Sequence, residues 1–385
     1  MIMKKKIFIS LGLMSGTSMD GVDLSIIKSD GYDEFSSILN TYREFDNNLY
    51  EQLIGIRDKI SSIEDIKIYL DDLNDLEKKF TLFNGKLISE VVRNIDEEID
   101  LIGFHGQTIF HNSKIKISKQ LGDGKLLSSL LNKTVVNNFR QNDLLHGGQG
   151  APLTPIFHNL ISKIIKKEFK IDYPLSIINI GGITNATLID YNIKNHDQNF
   201  FAYDIAPGNC LVDEWVRKHV KLKYDKDGNY ANSGKVDSLV LNQAIDNFEI
   251  ESFDSSLDIK DFDLSFVKGL SFEDGCATLT KFTAFLISNG LKKISIKNKI
   301  SLKHIILCGG GRKNNFLVKS IKEFLGDIDI QIHNIDDYNF NGNFIESQAF
   351  AFLAIRSYLN LPISFPNTTR CKESITGGEI QKNFE

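Results

Sequence analysis

The chain has 385 residues, enough at about 150 residues per domain for two or three domains. It is 42% hydrophobic and 25% charged, with 45 Lys and Arg against 50 Asp and Glu for a net charge of -5. That is an ordinary globular composition. It offers no general attraction for phosphate backbones or anionic lipid, which speaks against nucleic acid and membrane surfaces as partners. Cys210, Cys276, Cys308 and Cys371 are far apart, with no C-x-x-C pair, and read as free thiols in a reducing compartment.

In chain order, MIMKKKIFISLGLM at the start imitates a signal peptide, but its apolar run is short and leads straight into polar SGTSMDGVD. A buried first strand over residues 7–13 is the better reading, with a Gly/Ser/Thr turn and a returning strand over 22–28. No window approaches the ~18 apolar residues of a membrane helix, so the expected location is the cytoplasm. Residues 47–98 read as a pair of helices on the first lobe. Residues 176–180 form a β-branched run broken by Gly181 and Gly182, with strand resuming at 186–190. Residues 304–308 meet Gly309, Gly310 and Gly311. Three strands that each end in a small, Gly-bearing turn point to two related lobes around one ligand. Apolar spacing predicts helices over 156–165, 211–219, 276–289 and 314–325, the last two closed by Gly290 and Gly326 as helix-ending glycines. The lysine-rich residues 292–303 read as a solvated connection.

The turn SGTSMDGVD has the chemistry of a phosphate cradle, because small residues let backbone N–H groups approach an anion and hydroxyls add donors. An empty hairpin turn is the alternative. A Walker A loop is ruled out: five residues separate Gly228 from Gly234, and Val236 follows Lys235. GGGRKN lacks the third glycine of a dinucleotide fingerprint. Asp204, at a strand end before Pro207, Gly208 and Asn209, is placed to take a proton from a nucleophile, or else to complement a helix dipole. Arg140, Asp143, His146 and Gln149 lie in a glycine-rich run suited to wrapping a hydroxyl-rich ligand. His105 and Gln107 are candidates for sugar contact, whereas His105 and His111 are a poor metal pair.

SGTSMDGVD, GFHGQT, QLGDG, FRQND with GGQGAPL, NIGGITN, YDIAPGN, CGGGRKN and IESQAFAFLA occur in that order, and over nearly the whole chain this set resembles the anhydro-N-acetylmuramic acid kinases. The closing LPISFPNTTRCKESITGG is similar to that family's C-terminal segment. The resemblance implies an α/β, two-lobed actin-like ATPase fold of the sugar kinase and Hsp70 type, with a central cleft. Lobe I would be residues 1–135 plus 350–385 and lobe II residues 136–349. It implies that Gly16, Thr17, Ser18, Met19, Asp20, Gly21, Val22 and Asp23 hold the ATP phosphates. Gly181, Gly182, Gly309, Gly310 and Gly311 would line the nucleotide side. Asp204 would be the catalytic base, and His105, Gln107, Arg140 and Glu346 would bind sugar. ATP and Mg²⁺ are the implied cofactors, the metal ligands staying open, and a homodimer is implied. The implied reaction opens 1,6-anhydro-N-acetylmuramic acid with water and phosphorylates O6, a step of peptidoglycan recycling. Alternatives are another sugar kinase of the same fold and a nucleotide-binding regulatory relative without turnover. Against the family pattern, Ile205 and Ala206 replace Thr-Gly, Asn138 replaces Asp, and Ser255 and Ile259 stand where basic residues are expected.

Overall fold

A computed structural model describes residues 6–16, 18–192, 199–248, 253, 257, 261–326 and 329–383. Thr17, Ser255 and Ile259 lie outside the described residues. The chain is α/β and divides into two compact units, Met1–Leu160 with Phe344–Glu385, and Ile161–Asn343.

The first unit is built on β1 (Phe8–Ser15), β2 (Gly21–Ser29), β3 (Phe35–Glu44), β4 (Leu101–Asn112), β5 (Ile117–Leu121), β6 (Thr134–Asn137) and β12 (Glu379–Gln381). The order is β12-β6-β4-β1-β2-β3, with β5 beside β4. β1, β2 and β3 form an antiparallel meander, and β4 and β6 join parallel to β1. The helix Ile345–Tyr358 lies on this sheet where the strands carry glycine. A Cβ on Gly12 would meet the Ser347 carbonyl oxygen at 2.0 Å, and one on Gly103 the Phe350 carbonyl oxygen at 2.2 Å. Residues 47–98 contain three helices rather than two, Asn47–Lys59, Ile63–Ile68 and Leu70–Val92. Leu53 and Phe80 from this segment are buried in the unit's main core with Leu24 and Phe104, so the segment builds part of the core.

The second unit holds β7 (Leu175–Ile180), β8 (Ile183–Ile189), β9 (Phe200–Pro207), β10 (His304–Cys308) and β11 (Gln331–Asn334), in the order β11-β10-β7-β8-β9. Here too a three-stranded antiparallel meander receives two strands parallel to its first member. One topology is therefore present twice, in agreement with the actin-like expectation. The helix Phe272–Asn298 corrects two expectations. Gly290 lies inside it and does not end it, and the helix runs on through residues read as a solvated connection. Glycine stands at 290 because a Cβ there would meet Ile205 Cβ and the Ile205 carbonyl oxygen at 2.9 Å. Gly326 does close the helix Asn315–Leu325, with φ of 72°.

The unit boundaries also differ from the expected ones. They fall at 160/161, within the helix Pro155–Phe169, and at 343/344, instead of 135/136 and 349/350. Long-range packing is the reason. Phe139 and Leu153 share a buried cluster with Phe350 and Leu353, and β6 is sandwiched between β4 and β12. Arg140, the glycine-rich run after it and Glu346 consequently belong to the first unit.

Candidate active site

In the first unit, residues 16–20 form the turn from β1 to β2. Met19 adopts a left-handed φ of 55°, and its N–H closes onto the Gly16 carbonyl oxygen at 3.2 Å. Ser18 Oγ donates to Asp20 Oδ1 at 2.6 Å. Ser15 stands opposite Gln107 in register, and its Oγ proton is shared between the Gly21 carbonyl oxygen at 2.9 Å and Gln107 Oε1 at 2.5 Å. Gln107 Nε2 in turn donates to the Gly16 carbonyl oxygen at 3.1 Å. Gln107, a candidate for sugar contact, is buried and bonds the turn through both ends of its amide.

The glycines differ in what they are for. A Cβ on Gly21 would strike the Tyr42 ring at 2.6 Å, so packing demands that glycine. A Cβ on Gly16 would meet nothing nearer than Ser18 Oγ at 3.9 Å. Its bare backbone leaves open space, as anion binding requires.

Three carboxyl groups crowd this turn. Burial, Glu346 and Asp20 push Asp23 up to about 7. Burial also raises Glu346, in the first turn of the helix Ile345–Tyr358, with Arg140 opposing. Arg140 is itself held firmly. Its Nε and Nη2 donate to His105 Nε2 at 3.2 and 2.8 Å, and its Nη1 donates to the Gly150 carbonyl oxygen at 2.7 Å. His105 Nδ1 lies 2.7 Å from the Gly106 carbonyl oxygen, which makes it the donor and leaves Nε2 to accept. Burial and the Arg140 charge keep this imidazole well below its ordinary value and so neutral. His105 is thus engaged in orienting Arg140. On the other side of Gly150, its N–H donates to Asp143 Oδ2 at 2.6 Å, and Asp143 Oδ1 accepts from Thr369 Oγ1 at 2.5 Å. The glycine-rich run is fixed from both sides of one peptide. His111 Nδ1 pairs with Ser118 Oγ at 2.9 Å, and among the described residues no group of three His, Cys, Asp or Glu could hold a metal by itself. Asn138, with φ of 53°, donates to Glu379 Oε1 at 2.6 Å, a bond an aspartate could not make to a carboxylate.

In the second unit, Gly181 and Gly182 form the turn from β7 to β8, the position that residues 16–20 hold in the first unit. The Gly182 carbonyl oxygen accepts from Gly208 N–H at 2.8 Å, and the Gly181 carbonyl oxygen accepts from Asn209 N–H at 2.7 Å. A Cβ on Gly181 would be no closer than 3.6 Å to any atom outside its immediate neighbours, and one on Gly310 no closer than 3.7 Å. Gly309 and Gly311 serve packing instead: with φ of 77°, Gly309 would place a Cβ 2.7 Å from the Ile180 carbonyl oxygen, and Gly311 would place one 2.2 Å from Ile180 Cγ2. The buried Arg312 clamps this turn, donating to the Gly309 carbonyl oxygen at 2.8 Å and as a fork to Asp336 at 2.8 and 3.0 Å. In the sequence Arg312 stands out only as part of CGGGRKN. The fork needs an aspartate 24 residues away, which no local pattern announces.

Asp204 is half-buried in β9, where its Oδ2 accepts from Leu257 N–H at 3.1 Å. Between β8 and β9 the register passes from Thr184 opposite Ala206 to Asn185 opposite Asp204, so Ile205 is the extra residue of a bulge. Ile205 and Ala206 are both fully buried in the second unit's core. The side chains that replace Thr-Gly therefore point into apolar packing.

A family model described as anhydro-N-acetylmuramic acid kinase matches residues 8–383. A protein named anhydro-N-acetylmuramic acid kinase from Pelagibacter ubique (strain HTCC1062) is 53% identical over 384 residues, spanning 99% of this chain and 100% of that one. Proteins of the same name from Rhodospirillum rubrum and Agrobacterium fabrum are each 34% identical, each spanning 96% of this chain and 93% and 98% of their own.

Proposed function

The chain belongs to the anhydro-N-acetylmuramic acid kinase family, and on that premise we propose that it converts 1,6-anhydro-N-acetylmuramic acid, ATP and water into N-acetylmuramic acid 6-phosphate and ADP, in the recycling of peptidoglycan. Water bonds to the anomeric carbon and gives a proton to Asp204, while the bond from that carbon to O6 breaks and its electron pair stays on O6. O6 bonds to the γ-phosphorus as the bond to the ADP oxygen breaks, and the proton on Asp204 passes to solvent.

The observation that carries this reading is that Gly16, Gly181 and Gly310 leave open backbone just past the carboxyl ends of β1, β7 and β10. Phosphoryl transfer asks for positioned donors and charge neutralisation more than for covalent chemistry. Gly182, Gly309 and Gly311 support those turns. The turn residues 16–23 would face phosphate, Arg140 and Glu346 would meet sugar, and His105 and Gln107 would act by holding Arg140 and the turn. Asp20 and Asp23, with Glu346 near, fit a Mg²⁺ ion, because Asp20 and Glu346 both disfavour a negative charge on Asp23 that a dication would offset and Mg²⁺ is commonly held by one or two carboxylates plus phosphate. When bound, Mg²⁺ would neutralise charge on the transferring phosphoryl group.

The four free cysteines, three of them buried, support a reducing cytoplasmic setting, and the net charge of -5 supports small-molecule partners over nucleic acid. Among the described residues no helix is long and apolar enough to cross a membrane. The homodimer rests on the family resemblance alone.

The test is ADP release with ATP, Mg²⁺ and the anhydro sugar, run beside Asp204→Asn. The wild type should turn over and the variant should lose at least about 10²-fold while binding ATP within a few-fold. Wild-type rates in Asp204→Asn would remove the base assignment. Turnover only on a different sugar would replace the substrate.

A further inference from the structure

We propose that Asn185 is a second catalytic group of the base site, its side-chain oxygen holding the attacking water together with the Asp204 carboxylate. The inference rests on the reading of Asp204 as the base and deepens it.

Three successive register pairs draw one row across the second sheet, Cys308 beside Asn179, Asn179 beside Asn185, and Asn185 beside Asp204. Directly opposed residues share a face of the sheet, with Cβ atoms about 4.5 to 5.5 Å apart. The neighbours on either side, Ile178, Ile180, Ala186, Tyr203 and Ile205, belong to the apolar core. The polar row therefore occupies the opposite face. Asn185 and Asp204 belong to the unbroken register that runs back to Ile189 opposite Phe200, and the bulge follows them, so that beyond the pair Ala206 rather than Ile205 stands opposite Thr184.

Among the described residues, Asn185 Oδ1 is a buried acceptor with no hydrogen-bond partner. An unpaired buried acceptor costs stability, so its retention beside a carboxylate calls for a donor that arrives with the reaction. Two acceptors side by side cannot bond to each other. One water molecule can serve both, giving one O–H to Asp204 and one to Asn185, which turns its lone pairs away from both and fixes the direction of attack. A carboxylate alone leaves that water free to swing about a single bond. With both acceptors in place, the proton taken by Asp204 is the one on the oxygen that bonds to carbon.

The experiment measures kcat, KM for ATP and thermal midpoint for Asn185→Ala, Asn185→Leu, Asp204→Asn and the Ala–Asn double variant, using the anhydro sugar and single-turnover labelled ATP for slow enzymes. Leu keeps the amide's bulk without its oxygen, so it reports even where Ala unsettles the strand. Both Asn185 variants should lose on the order of 10²-fold in kcat with KM for ATP within threefold. In the Asp204→Asn background the Ala change should cost less than about threefold, because two groups acting on one water are not additive. A kcat within threefold of wild type in both single variants would overturn the proposal, as would an equal loss with and without Asp204. If Asp204→Asn is itself active, the base reading fails. If it is inactive while Asn185→Leu is normal, only the role of Asn185 fails.

Discussion

At pH 7 the Asp23 carboxyl, pushed up to about 7 by burial, Glu346 and Asp20, is about half protonated in the ligand-free protein. Its move from 3.8 to about 7 means that the ionised form bears up to about 4 kcal/mol of unfavourable interaction. A dication at this cluster would supply the missing charge and favour the carboxylate. Binding of MgATP should then release about 0.9 proton at pH 6, about 0.5 at pH 7 and about 0.1 at pH 8 through Asp23. Titration calorimetry in buffers of different ionisation enthalpy counts these protons, and subtracting the count for Asp23→Asn removes any contribution from the nucleotide. Stability follows the same shift. Folded Asp23 binds its proton more tightly than the unfolded chain does, so its contribution is most favourable below pH 3.8, declines as pH rises and levels off above about 7. Asp23→Asn should therefore melt at or above the wild type at pH 8 while binding MgATP more weakly. Equal proton release from wild type and variant between pH 6 and 8 would refute the reasoning.

The two kinds of glycine should separate in mutants. Gly16→Val places its Cβ no nearer than 3.9 Å to Ser18 Oγ and should keep its thermal midpoint while losing at least tenfold in ATP affinity, whereas Gly309→Ala, which combines a φ of 77° with a Cβ 2.7 Å from a carbonyl oxygen, should cost about 2 kcal/mol or more of stability. Chemical denaturation and nucleotide titration of the pair check this, and unchanged ATP affinity in Gly16→Val would count against the cradle. Gln107→Leu should leave the Ser15 hydroxyl with the Gly21 carbonyl oxygen and the Gly16 carbonyl oxygen with the Met19 N–H as remaining partners, costing about 0.5 to 1.5 kcal/mol for each bond lost and weakening ATP binding; an unaltered ATP affinity would show that the turn does not depend on its brace.

The strand-turn-strand units were readable because each is written within about a dozen residues, as β-branched runs interrupted by glycine and hydroxyl side chains. What failed to read was decided at a distance. Gly290 looks like a helix end unless Ile205 is known to press against it. The unit boundaries depend on Phe139 meeting Phe350 and on β6 meeting β12, pairings more than two hundred residues apart. Gln107 stands out in the sequence as a candidate for ligand contact, but the partners that hold its amide, Ser15 and Gly16, lie more than ninety residues upstream. Ile205 and Ala206, which stand in place of Thr-Gly, both turn into the core because the bulge at Ile205 breaks the alternation that would put Ala206 on the Asp204 face.

The first unit is discontinuous in sequence, and that inverts the order of manufacture. Its helix Ile345–Tyr358, which seats on Gly12 and Gly103, and its strand β12 leave the ribosome after residues 161–343, which are complete in one continuous stretch before them. Domains generally fold as units while synthesis proceeds at about 5 to 20 residues per second. The unit begun first is thus finished last. For the roughly ten to forty seconds that residues 161–343 take at that rate, β1 and β4 wait with their glycine-lined face uncovered by that helix.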